Sequence, residues 1–152
     1  RWDRLRGEFG REVAAEEIKR SIGNTARKLD LGADLLKAIE GRDPRLEPAI
    51  SAGRAEFMRR QGQLNLGCVH CHDQRFGEKL AGSTIPQGHP NGHPIYRLAW
   101  QTLGSLQRRL RNCLTGMRAD NYPIGSPELV ALETYLMRRA RGMTVESPAV
   151  RP

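Results

Sequence analysis

An all-α fold is predicted for this chain by three features. Apolar residues recur at helical period in segments on both sides of a short central motif. The last of these segments carries helix start and stop signals at both ends. The motif, Cys-x-x-Cys-His, is followed by a stretch rich in Gly and Pro that must be mostly loop.

The elements follow in order. "PAISAGRAEFMRR" reads as a helix over about residues 48–60, with Pro48 suited to the first turn. Ile50, Gly53, Phe57 and Met58 recur near helical period, and Gly53 lets another helix approach closely. "AGSTIPQGHPNGHPIY", residues 81–96, is the loop, and a long ordered loop is usually functional. A helix over about 105–118 places Leu106, Leu110, Cys113, Leu114 and Met117 on one face. In "SPELVALETYLMRRARG" Ser126 is the N-cap, Pro127 the first helical residue, and Glu128 favours the N-terminal dipole. Arg138, Arg139 and Arg141 favour the other end, and Gly142 closes the helix. Its apolar face is Leu129, Leu132 and Leu136, with Tyr135 alongside. The first and last of these helices should cross, with Gly53 and Phe57 meeting residues 131–135.

"LGCVHCHDQ" holds Cys68, Cys71 and His72, the attachment signature of a c-type haem. Two thiols one short turn apart add to the two vinyl groups, and the adjacent His72 is placed to coordinate iron from one face. A redox Cys-x-x-Cys does not require the histidine. A structural zinc site needs four ligands, for which only His70, His72, His89, His93 and Cys113 are available. His70 is read as a spacer. The order helix, motif, loop, helix, terminal helix is the layout of a small class I cytochrome c-like haem domain over 48–152. With aromatics at 5 % of residues, the porphyrin must supply much of the core. Residues 1–47 look like one or two amphipathic helices (Val13, Ile18, Ile22; Leu29, Ala33, Leu36). They contain no cysteine and so hold no c-type haem. One haem c is therefore expected, and its covalent attachment outside the bacterial cytoplasm points to the periplasm.

The formal charge of +8 is unevenly spread: residues 79–119 contain six basic side chains and no acidic one. Such a one-sided field favours anions. No zinc-finger, RRM or helix-turn-helix pattern accompanies it, so nucleic acid is not expected. Mean hydropathy is −0.60, and no apolar run approaches the roughly 20 residues that span a bilayer. The start at Arg1, without initiator Met or signal segment, reads as that of a processed or trimmed chain.

The second axial position is open on these grounds. Met117 lies four residues after Cys113 on the same helical face, while His89 and His93 lie in the loop. Met58 reads as packing against the N-terminal helix, and Met137 and Met143 as core filler. Cys113 is a small buried hydrophobe or a ligand. Arg109 is one i,i+4 step from it, and a nearby cation favours thiolate over thiol. A thiolate is a strong iron ligand that holds the potential low.

"GQLNLGCVHCHDQ", "GSTIPQGHPNGHPIYRL", "WQTLGSLQRRLRNCLTGMRA" and "SPELVALETYLMRRARGM" closely resemble the C-terminal haem domain of the SoxA family. The resemblance covers about residues 48–152. It implies a subunit of a SoxAX cytochrome that couples thiosulfate oxidatively to the cysteine of a SoxYZ-type carrier, an L-cysteine S-thiosulfotransferase. It implies His72 and Cys113 as the iron ligands, the cysteine often a persulfide, and Arg109 as an active-site arginine. It also implies a SoxX-type monohaem partner and, beyond it, a chain of haem acceptors. The alternative is a plain electron-transfer cytochrome with Met117 on the iron. Family members carry a whole N-terminal cytochrome-like domain, so residues 1–47 are read as a helical extension or a remnant of that domain.

Overall fold

The structure, a computed structural model, describes residues 43–146 and 149–151. The expected helices over residues 1–47 fall almost wholly on 1–42, outside the described residues. Arg45–Pro152 forms a compact unit by itself.

Its first helix, α1 (Glu47–Met58), carries Pro48 in its first turn, and the motif forms a short α2 (Cys68–His72). Helix α3 (Leu106–Gly116) starts at Ser105, whose Oγ accepts the Arg108 N–H at 3.2 Å. Helix α4 (Pro127–Arg139) starts at Ser126, whose Oγ accepts the Leu129 N–H at 3.3 Å. Each cap satisfies a backbone donor that the first helical turn leaves without a partner.

Helices α1 and α4 cross at Gly53. A β-carbon there would lie 2.6 Å from the Ala131 carbonyl carbon and 2.7 Å from Tyr135 Cβ, so only glycine permits the approach. One turn on, the Phe57 and Tyr135 rings meet at 5.5 Å. Phe57, Leu106, Leu110, Leu114, Met117, Leu129, Leu132 and Leu136 form one buried cluster. Phe57, Leu114 and Leu129 are 2 % exposed or less, each contributing roughly 1.5–3 kcal/mol by burial. Gly53→Ala is expected to destabilise the domain by about 1–3 kcal/mol through overpacking, read as a lower midpoint in denaturant unfolding of the haem-bearing protein.

The all-α expectation needs correction, because the described residues also contain strands. Strands β1 (Lys79–Leu80) and β2 (Ser83–Thr84) pair as a small hairpin. Strand β3 (Ile95–Arg97) is the centre of a three-stranded sheet. It pairs antiparallel with β4 (Thr102–Gly104) and parallel with β5 (Ala149–Arg151). The helices still hold the hydrophobic cluster. The sheet ties the end of the loop to the C-terminal segment and fixes the backbone at Arg97.

Two further expectations fail. Met58 is 39 % exposed, at the end of α1 and turned away from the cluster, while its neighbour Phe57 is buried. Met137 and Met143 are 53 % and 43 % exposed and fill no core. Met137 lies seven residues after exposed Val130, on the outer face of α4.

Candidate haem and thiol site

The motif turn begins at Gly67, in extended conformation. Its N–H donates to His70 Nδ1 at 2.9 Å, and the His70 N–H donates to the Gly67 carbonyl at 3.1 Å. The His70 ring thus folds back on the start of the turn, in keeping with a spacer. His72 Nδ1 lies 2.7 Å from the Pro86 carbonyl oxygen. A carbonyl only accepts, so Nδ1 carries the proton and Nε2 keeps its lone pair for a metal. Gly88, at φ +70°, sits against the same ring: a β-carbon there would lie 3.3–3.4 Å from ring and Cβ atoms of His72. Loop residues 86–88 therefore enclose His72.

Cys68, Cys71 and Cys113 are all free, and each is partly buried. Burial pushes the Cys68 thiol up to about 12, and the nearby Cys113 adds to the rise. The unbound thiol at Cys68 therefore stays neutral. Cys113 is half-buried on α3, on the face whose leucines enter the core. Arg97, on β3, lies within electrostatic reach of both Cys113 and Arg109. Burial first, then Arg109, lowers the pKa of Arg97, while Cys113 opposes the shift. Two guanidinium groups lie over the Trp100 ring, Arg97 at 5.3 Å and Arg108 at 4.2 Å from its centre. Such stacking holds a guanidinium in a fixed orientation. Arg109 also reaches His93, whose ring is pushed toward the neutral form, first by burial and then by Arg109 and Arg151. The sequence pattern did not single out Arg97. Its approach to Cys113 depends on sheet pairing that no local pattern reveals.

Several features fit a bound haem c. His72 presents a bare Nε2, and Cys68 and Cys71 are free. Among the described residues, Nε of Arg111 is buried without a hydrogen-bond partner. Buried polar atoms of this kind are satisfied by water or a bound group. No group of three or more His, Cys, Asp or Glu among the described residues is arranged to hold a metal ion by itself, so the zinc alternative has no ligand set there.

Residues 52–145 match the family model for the SoxA/TsdA cytochrome c domain. The chain belongs to the SoxA/TsdA cytochrome c domain family. Covalently bound haem c is the cofactor of such a domain. It is 41 % identical over 99 residues to the L-cysteine S-thiosulfotransferase subunit SoxA of Rhodovulum sulfidophilum, covering 65 % of this chain and 34 % of that one. Against the same-named subunit of Pseudaminobacter salicylatoxidans it is 34 % identical, covering 93 % of this chain and 46 % of the relative. Against that of Allochromatium vinosum it is 33 % identical, covering 99 % and 60 %. The chain thus spans about a third to three fifths of the length of these relatives. The crystal structure of SoxXA from P. pantotrophus matches with a TM-score of 0.67 at 33 % identity, covering 69 % of this chain and 40 % of that chain.

Within this SoxA/TsdA domain the remaining candidates separate by environment. Met117 ends α3 at 9 % exposure, inside the leucine cluster. Its carbonyl accepts from the Leu64 N–H at 3.5 Å, and the next carbonyl, of Arg118, from the Gln63 N–H at 3.1 Å. Of the loop histidines, His89 is partly buried and His93 lies beside Arg109, Arg151 and Glu133. Asp73, directly after His72, receives both arms of Arg139, at 2.5 and 3.2 Å. The sequence pattern marked Arg139 only as a favourable charge at a helix end.

Proposed function

We propose that this chain is the haem domain of a SoxA-type subunit that oxidatively couples thiosulfate to the cysteine of a SoxYZ-type carrier, an L-cysteine S-thiosulfotransferase activity, in the periplasm. The observation that carries this reading is the match of residues 52–145 to the SoxA/TsdA cytochrome c domain, a segment in which Arg97 lies within electrostatic reach of Cys113 and of Arg109, and Cys113 within reach of Cys68.

In this reading Cys68 and Cys71 hold one haem c as thioethers, in a class I cytochrome c-like arrangement. His72 would hold the iron through Nε2, and Cys113 would hold it through its sulfur. Thiosulfate, a dianion, enters the surface of residues 79–119, which lacks acidic side chains. Arg109 meets its sulfonate oxygens through a planar fork, and Arg97 adds a second positive charge. The terminal sulfur of thiosulfate is thereby held at Cys113, where the carrier thiol reaches it. Overall a carrier S–H bond breaks and a sulfur–sulfur bond forms, giving the carrier S-thiosulfonate, one proton and two electrons. A haem c here supplies one-electron acceptance, so a SoxX-type monohaem subunit takes the second electron and passes charge to further haem acceptors. No helix among the described residues is long and apolar enough to cross a membrane.

The test is incubation of the oxidised holoprotein, with its SoxX-type partner, thiosulfate and a thiol carrier. Carrier S-thiosulfonate should form in step with reduction of the cytochrome, read by intact mass and absorbance. Cytochrome that exchanges electrons with small mediators but never modifies the carrier would leave only the electron-transfer reading. That rival places Met117 on the iron. Met117→Leu, nearly equal in volume, should cost less than about 1.5 kcal/mol and leave the oxidised absorption spectrum unchanged. Loss of a far-red sulfur-to-iron band in that variant would restore the rival.

A further inference from the structure

Arg139 joins two pieces of chain that flank His72 in space: the end of the motif turn and the 86–88 loop. Its guanidinium grips Asp73, the residue after His72, through both carboxylate oxygens at 2.5 and 3.2 Å. The same Nη2 donates to the Gln87 carbonyl at 3.3 Å. Gln87 lies between Pro86, whose carbonyl receives the His72 ring proton, and Gly88, which abuts the ring. The guanidinium also lies over the Phe57 ring at 4.7 Å and the Tyr135 ring at 5.9 Å, so the core fixes its position. Its side chain is 19 % exposed, and Asp73's is 34 %. A bidentate, partly buried, charge-assisted pair is stronger and better oriented than a surface pair. Arg75–Glu78 and Arg151–Glu146, by contrast, are ion pairs with both side chains more than half exposed.

We propose that Arg139 is a positioning residue that clamps the motif turn to the 86–88 loop and so sets the orientation and ring hydrogen bond of His72. The proposal rests on His72 being an iron ligand. The ring hydrogen bond of a ligating histidine fixes its orientation and raises its basicity, and loss of such outer partners typically costs about 10- to 100-fold in metal affinity or activity. Freed from Arg139, the loop opens more often. The Nδ1 proton then exchanges with solvent, the ring donates less charge, and the reduction potential rises.

The experiment compares wild type, Arg139→Gln, Arg139→Lys and Asp73→Asn as covalent holoproteins. Ser126→Ala, which removes the N-cap at the far end of α4, serves as a control that lowers stability without touching the clamp. Exchange of the His72 Nδ1 proton is followed by NMR in the reduced state, alongside the reduction potential. Arg139→Gln should speed exchange about 10- to 100-fold, the factor that losing a hydrogen bond to a charged group allows, and raise the potential. Arg139→Lys, which keeps charge but not the fork, should recover part of both. Asp73→Asn should move both the same way and supplies the answer if Arg139→Gln fails to mature. If exchange and potential in the Arg139 and Asp73 variants match Ser126→Ala at equal loss of thermal stability, the residue is merely structural and the proposal is overturned. If wild type shows no histidine on the iron, the haem assignment itself fails, a result separable from failure of the clamp.

Discussion

Cys113→Ala is expected to lower thiosulfate coupling to the carrier on the order of 10³-fold or more, the scale of loss when a residue acting as a unit with its neighbours is removed. Covalent haem should persist, because Cys68 and Cys71 are unchanged. The low-spin spectrum of the oxidised protein should alter, since one axial sulfur is gone. Folding should survive. Cys113 is half-buried, and the leucines on either side of it carry the packing of α3. A variant with normal turnover and an unaltered spectrum would make the thiol a packing residue. Cys113→Ser separates ligation from volume, because a hydroxyl fills the space without supplying a thiolate.

Arg109→Ala should lower kcat/KM for thiosulfate by about 10- to 200-fold. A hydrogen bond to a charged group contributes roughly 1.5–3 kcal/mol, which sets that range. Arg109→Lys should recover only part, because the ammonium keeps the charge and loses the planar fork. Haem content and spectrum should stay near wild type. The competing role is a propionate contact, which Arg97, Arg108 or Arg111 also offer. Loss of haem from Arg109→Ala, or normal turnover by it, would move the sulfonate away from Arg109. Arg97 then becomes the next residue to test, since it too lies within reach of Cys113.

Helix α4 was legible because its signals are local. Ser126, Pro127 and the closing arginines mark its ends, and Leu129, Leu132 and Leu136 mark its inner face. The α1–α4 crossing was legible at Gly53, because a glycine among apolar helical positions has a steric meaning. The motif turn declared itself by residue type and spacing. The sheet did not, since three-residue strands carry no measurable period, and Ile95 pairs with Ala149, more than fifty residues away. Arg97 was hidden for the same reason. The Arg139–Asp73 pair spans 66 positions and looked like an ordinary helix-end charge. The methionines misled because their flexible apolar side chains suit core and surface alike, and local sequence fixes only the face on which they fall.

The ligand pair on the iron tests the account most directly. Electron paramagnetic resonance of the oxidised holoprotein, recorded for wild type, Cys113→Ala and Met117→Leu, reports that pair. The account predicts a low-spin histidine–thiolate signal in wild type, the same signal in Met117→Leu, and its loss in Cys113→Ala. A histidine–methionine signal in wild type that survives in Cys113→Ala and disappears in Met117→Leu would contradict it.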